Sequence, residues 1–164
     1  MQKNIVGVFG LGYVGLPLSL TFCRAGFKVI GFDVDQEKVN KLNDGQSYIQ
    51  HIGSKDIAQA TEEGFFHATT DFSELKSCYA LIVCVPTPLT ASRDPDLSFI
   101  ESTARTIARH LRNGQLFCLE STTYPGTTQE VIRPILEKSG LQAGKDFHLA
   151  YSPEREDPGN KDFS

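Results

Sequence analysis

Residues 5–15, Ile5-Val6-Gly7-Val8-Phe9-Gly10-Leu11-Gly12-Tyr13-Val14-Gly15, decide the fold. Ile5 to Phe9 is a short, partly β-branched apolar run closed by a glycine, the pattern of a strand buried on both faces in a parallel sheet. Gly10 to Gly15 then matches G-x-G-x-x-G at a strand-to-helix junction, where that spacing has a mechanism. Gly10 permits the tight turn, Gly12 lets the backbone approach a pyrophosphate, and Gly15 lets the helix pack close to the strand. The free N–H groups and dipole of the helix start favour the negative charge of phosphates. Glycines at such a junction also serve packing alone, so the motif needs a second residue.

Asp33 is that residue. Lys28 to Val34 reads as the second strand, and Asp33 at its end stands eighteen positions beyond Gly15. A carboxylate there suits the ribose hydroxyls of an adenosine and repels a 2′-phosphate, which favours NAD over NADP. Lys38, nearby, either lies along the adenosine face and softens that discrimination or is a solvated helix lysine.

Outward from this unit the alternation continues. Tyr13 to Ala25 carries apolar residues at helical spacing and stops at Gly26; a second helix opens at Asp35 or Gln36 and runs to Gly45. Gln46 to Gly64 reads as a loop and a helix before a third strand at Phe65 to Thr69. Tyr79 to Val85 is a continuous apolar run ended by Pro86-Thr87-Pro88, a strand whose end is a natural place for chemistry. Ser98-x-x-Glu101 has the form of a capping box before Ile100, Ala104, Ile107 and Leu111 on one helix face. Gln115 to Leu119 is the fifth strand, Thr127-x-x-Glu130 opens another helix with a kink expected at Pro134, and Phe147 to Tyr151 is the sixth strand. Strands separated by helices imply right-handed β-α-β units. The expected fold is α/β, a doubly wound, mostly parallel six-stranded Rossmann sheet with helices on both faces.

The bulk properties agree. The chain has 164 residues, one domain's worth, with 40% hydrophobic and 22% charged residues and a formal net charge of -4. That balance suits a globular domain and offers no basic footprint for nucleic acid. The apolar start lacks a cleavage site and is too glycine-rich for a signal peptide or a membrane span, so a cytoplasmic location is expected. Cys23, Cys78, Cys84 and Cys118 form no C-x-x-C pair and read as reduced scaffold residues. Four scattered histidines give no metal site, and no Walker phosphate loop, nucleophile elbow or H-E-x-x-H is present.

Gly10 to Gly15 followed by Leu16-Pro17-Leu18, Val85-Pro86-Thr87-Pro88-Leu89, Glu120-Ser121-Thr122-Thr123-Tyr124-Pro125-Gly126-Thr127-Thr128, and Tyr151-Ser152-Pro153-Glu154-Arg155-Glu156-Asp157-Pro158-Gly159-Asn160 resemble, in order and spacing, the UDP-glucose/GDP-mannose dehydrogenase family. Ser47-Tyr48-Ile49-Gln50-His51-Ile52 and the Ser152 to Gly159 stretch look most like the bacterial UDP-N-acetylglucosamine 6-dehydrogenases within it. UDP-glucose members typically carry Ser/Asn-Pro-Glu-Phe-Leu where this chain has Ser152-Pro153-Glu154-Arg155.

The resemblance implies a four-electron oxidation of a UDP-sugar's C6 alcohol to a carboxylate, with two NAD reduced, in the making of surface polysaccharide. It also implies that residues 1–164 are the dinucleotide-binding domain alone. A central helix used for homodimerisation and a UDP-sugar domain would follow, bearing the cysteine that captures the aldehyde. Carried over position by position, Gly10, Gly12, Tyr13, Val14, Gly15, Asp33, Lys38, Thr87, Thr122 and Glu156 match cofactor contacts. Glu154 and Thr122 match catalytic positions, and Glu154 and Arg155 match sugar contacts. Thr87 between two prolines also reads as a turn former, and Thr122 as a strand-end cap. The rival expectations are a stand-alone NAD-binding module without catalysis, a dehydrogenase for another nucleotide sugar, and a hydroxyacid dehydrogenase. The last leaves the Glu120 to Thr128 and Ser152 to Asn160 segments unexplained.

Overall fold

A computed structural model describes residues 5–91 and 93–153. Six strands, β1 (Ile5–Phe9), β2 (Lys28–Phe32), β3 (Phe66–Thr69), β4 (Ala80–Val83), β5 (Leu116–Leu119) and β6 (His148–Tyr151), form one sheet in the order β3-β2-β1-β4-β5-β6. All five pairings are parallel, so the expected "mostly parallel" sheet is wholly so. β1 fills its expected run, β3, β4, β5 and β6 each begin one residue later than expected, and β2 and β4 end two residues early, where Val34 and Val85 lie in loops.

Alternation along each strand feeds two cores. Val6, Val8, Val29, Ala80, Ile82 and Cys118 pack on one face under α1 (Gly15–Arg24), α2 (Gln36–Asn43) and α3 (Ser54–Glu62). Phe9, Ile30, Phe32, Leu81, Val83, Phe117 and Leu119 pack on the other under α4 (Ser98–Ala108) and α5 (Arg133–Leu136). Phe9 and Phe32 stack across neighbouring strands with ring centroids 4.5 Å apart. Helices before β3 lie on one face and those after β4 on the other, so the winding reverses between β1 and β4, where open α/β sheets bind their ligands.

Both capping boxes are corrected. Ser98 lies inside α4, and its N–H is taken by the Asp96 carboxylate at 2.9 Å, while Glu101 pairs with Arg105 one turn on. The Thr127 hydroxyl donates to the Tyr124 carbonyl instead of capping a helix. The kink expected at Pro134 takes the form of a π turn over Thr128–Ile132, with the Arg133 N–H reaching back to Thr128. Pro134 has no N–H to continue an ordinary ladder, and a wide turn absorbs the gap.

Gln115, expected in β5, sits just ahead of it and is fully buried. Its amide donates to the carbonyls of Leu75 (2.9 Å) and Cys78 (2.7 Å), and its oxygen accepts the Arg112 N–H at 2.7 Å. This one side chain ties the end of the 3₁₀ segment Phe72–Ser77, which carries the chain from β3 to β4, to the start of β5. Gln115→Leu leaves the Arg112 N–H without its acceptor and strips the Leu75 and Cys78 carbonyls of their shorter bonds, leaving them only the Cys78 N–H at 3.1 Å and the Arg112 guanidinium at 3.3 Å. It is expected to destabilise the domain by about 2–4 kcal/mol, read from urea unfolding; a change under about 0.5 kcal/mol would refute the role.

Candidate functional site

A cleft of about 680 Å³ opens at the carboxyl ends of β1, β2, β4 and β5. Its floor is the turn Phe9 to Val14. Gly10 has φ +88°, and its N–H bonds the Phe32 carbonyl at 2.8 Å; a Cβ there would come within 2.9 Å of the Cys84 carbonyl oxygen. The tight turn therefore needs glycine, as expected. A Cβ on Gly15 would fall 1.9 Å from the Gly10 carbonyl oxygen, with Val8 of the strand next at 3.3 Å. The close packing expected at Gly15 is thus chiefly of helix on loop. A Cβ on Gly12 would meet nothing within 4 Å. That flank is free on the protein's side, which leaves the cleft as the place for whatever Gly12 must let approach. Helix α1 begins at Gly15, two residues later than its apolar spacing predicts, so Tyr13 and Val14 belong to the turn and line the cleft.

The second wall follows β2. Asp33 is 9% exposed, with one carboxylate oxygen accepting the Leu11 N–H and the other the Asp35 N–H, each at 3.0 Å. A carboxylate accepts about four hydrogen bonds, so two remain for a ligand. Asp33 thus has two duties where the sequence suggests one: it faces the cleft and it ties the glycine-rich turn to β2. Asp35 caps α2 through the N–H groups of Glu37 and Lys38. Lys38 is half-buried in the cleft wall, its ammonium 5.8 Å from the centroid of the Tyr48 ring. It is therefore not a freely solvated lysine. Val34, 86% exposed, lines the cleft beside Asp33 and offers an apolar surface.

The remaining wall comes from beyond the reversal point. Thr87, half-buried, and Thr122, exposed, both line the cleft, at the ends that follow β4 and β5. Buried Ser121 donates to the Val85 carbonyl at 2.7 Å and joins those two ends. Phe99, Ser102 and Thr103 of α4 complete the wall. The structure thus brings together Gly10, Gly12, Tyr13, Val14, Asp33, Lys38, Thr87 and Thr122, with Gly15 directly behind the turn. Glu154, Arg155 and Glu156 lie outside the described residues.

Sequence reasoning did not single out Tyr48, Ser121 or the α4 residues as parts of the site. Tyr48, from the segment after α2, lines the cleft and donates its hydroxyl to the Leu11 carbonyl. Burial, together with the Asp33 and Asp35 carboxylates, pushes its phenol far above the usual value, so the hydroxyl remains a donor. The scaffold reading of three cysteines is supported by burial, which raises Cys23 and Cys118 to about 11 and Cys78 to about 12. Thiols at those values are protonated near neutral pH and are poor nucleophiles. Among the described residues no group of three or more His, Cys, Asp or Glu is placed to hold a metal ion, and no helix is long and apolar enough to cross a membrane.

Residues 4–163 match the model of the UDP-glucose/GDP-mannose dehydrogenase family, NAD binding domain. The chain is 39% identical over 163 residues to the UDP-N-acetyl-D-glucosamine 6-dehydrogenase of Pseudomonas aeruginosa, covering 99% of this chain and 38% of that protein. It is 39% identical over 158 residues to the UDP-N-acetyl-D-mannosamine dehydrogenase of Pyrococcus horikoshii, covering 94% and 37% respectively. Among solved structures, a ternary complex of GDP-mannose dehydrogenase from Pseudomonas aeruginosa superposes with a TM-score of 0.88 at 34% identity, over 92% of this chain and 36% of that one. The chain spans less than two fifths of the length of the curated relatives it matches.

Proposed function

This chain belongs to the UDP-glucose/GDP-mannose dehydrogenase family, and from that premise we propose that it is the cofactor half of an enzyme oxidising C6 of a UDP-N-acetylhexosamine, foremost UDP-N-acetylglucosamine, to the uronic acid. NAD is the cofactor of the domain. The observation that carries the reading is the joining of Gly12's open flank and the Asp33 carboxylate in one cleft at the reversal point of the sheet. The cleft fits a dinucleotide in size, and it offers an anion-compatible turn at one place and a carboxylate for hydroxyl groups at another.

The proposed division of labour follows from the walls. Asp33 accepts the adenosine ribose hydroxyls, with Val34 beneath the base and Lys38 at the edge. The Gly10 to Gly15 turn takes the pyrophosphate, and Thr87 and Thr122 orient the far end of the dinucleotide next to the sugar. When bound, NAD accepts hydride from C6. Glu154 assists the water that releases the product, and Arg155 and Glu156 meet sugar and cofactor; the covalent step belongs to a cysteine of a following domain. The protein acts in the cytoplasm as a homodimer joined through a following helix.

Titration calorimetry tests the cofactor geometry. NAD should bind the chain at least about tenfold more tightly than NADP, the penalty for setting a 2′-phosphate against a buried carboxylate. Equal affinities would overturn the role given to Asp33. For the substrate, a longer chain containing this domain and its successor should yield two NADH per UDP-N-acetylglucosamine. Equal identity to the mannosamine and glucosamine relatives makes UDP-N-acetylmannosamine the competing substrate, and faster turnover of that epimer would replace the first choice.

A further inference from the structure

The Leu11 residue between the two leading glycines is held on three sides. Its side chain is fully buried against Gly31, where a Cβ would come within 2.8 Å of a Leu11 methyl. Its N–H is held by Asp33 at 3.0 Å, and its carbonyl accepts the hydroxyl of Tyr48, a residue 37 positions away. The Tyr48 ring is itself half-buried with the Lys38 ammonium 5.8 Å from its centre.

We infer that Tyr48 is a positioning residue for the dinucleotide: by holding the Leu11 carbonyl it aims and polarises the Gly12 N–H toward the pyrophosphate. The Leu11 carbonyl and the Gly12 N–H belong to one peptide unit, which is planar and trans, so they point in opposite directions. Fixing the oxygen on one side fixes the proton on the other. A hydrogen bond received at the carbonyl also strengthens the donor at the far end of the same amide, because bonds in a chain polarise one another. Gly12 is the residue whose flank is open to a ligand. Gly10 thus supplies the turn and Gly12 the space, while a tyrosine from a separate segment supplies direction. This inference rests on the reading that the cleft takes the pyrophosphate at Gly12.

Tyr48→Phe removes only the hydroxyl and keeps the ring beneath Lys38. Calorimetry should show NAD and ADP-ribose each binding about tenfold more weakly, the size of one net hydrogen bond. Adenosine, which has no phosphate, should bind within about twofold of its wild-type affinity by NMR titration, since a 1.4 kcal/mol effect is confined to the turn. The Gly12 amide proton should move upfield in the ligand-free variant. NAD affinity unchanged in Tyr48→Phe, or an equal loss for adenosine, would overturn the proposal. If Tyr48→Phe does not fold, 3-fluorotyrosine placed at position 48 keeps the hydroxyl as a stronger donor at pH 6. It should move the Gly12 amide downfield, and an unmoved resonance would overturn the proposal equally. Failure of the wild-type chain to bind NAD would instead bring down the cofactor geometry on which this rests.

Discussion

Asp33→Ala is expected to lower the stability of this domain and its NAD affinity together, because one carboxylate serves both. In the folded chain its two oxygens accept the N–H groups of Leu11 and Asp35, at a site 9% exposed. Alanine leaves the buried Leu11 N–H without a partner, at about 1–3 kcal/mol, and hands the part-buried Asp35 N–H to water at the loss of one net hydrogen bond, about 1 kcal/mol, so unfolding free energy should fall by about 2–4 kcal/mol. For a chain of this size that is a drop of roughly 4–16 °C in melting temperature. NAD affinity should fall by at least about thirtyfold through loss of charge-assisted bonds to the ribose, and NADP, which never had those bonds, should lose less. Asp33→Asn separates the effects: its oxygen still accepts one backbone N–H, while its amide faces the other. Stability should then lie between wild type and alanine, with the preference for NAD already gone. Melting curves and calorimetry on the two variants decide the matter. An alanine variant that melts within about 1 °C of wild type would deny the structural duty.

The double duty of Asp33 also marks where sequence reading succeeds and where it stops. Each strand is announced by a run whose neighbours in sequence suffice to bury it, and the glycines act through local backbone geometry. Asp33 is placed by its distance from that turn. Those features are local, and the strands are found within two residues of where the pattern puts them. Tyr48 is different. Its partner is a carbonyl 37 positions earlier, reached only when the segment after α2 folds back on the turn, and no periodicity encodes that meeting. Ser121 is a similar case, bonding Val85 from the end of a neighbouring strand. The α4 capping motif fails for another reason. Ser98-x-x-Glu101 has the right letters, but Asp96, two residues ahead, offers a charged acceptor to the Ser98 N–H and starts the helix one step earlier than a serine cap would. Short polar motifs compete with one another, and the stronger acceptor wins.

The glycines of the turn provide a second test, in which two substitutions of the same size should have opposite consequences. At Gly15 an added methyl would stand 1.9 Å from the Gly10 carbonyl oxygen, a backbone atom in a turn already held by Phe32 and Asp33. Neither partner can yield without lifting α1 off the sheet, so Gly15→Ala should cost more than about 3 kcal/mol, in the range of severe overpacking. At Gly12 the same methyl meets nothing within 4 Å, so Gly12→Ala should fold within about 1 kcal/mol of wild type. Its methyl then projects where the backbone must come close to a pyrophosphate, and NAD affinity should fall by at least about a hundredfold with the melting temperature nearly unchanged. Circular dichroism melts and calorimetry on the pair separate a glycine needed for folding from one needed for binding. A Gly12→Ala protein that binds NAD as wild type does would move the pyrophosphate away from the turn, and would take with it the argument that Tyr48 directs the Gly12 N–H.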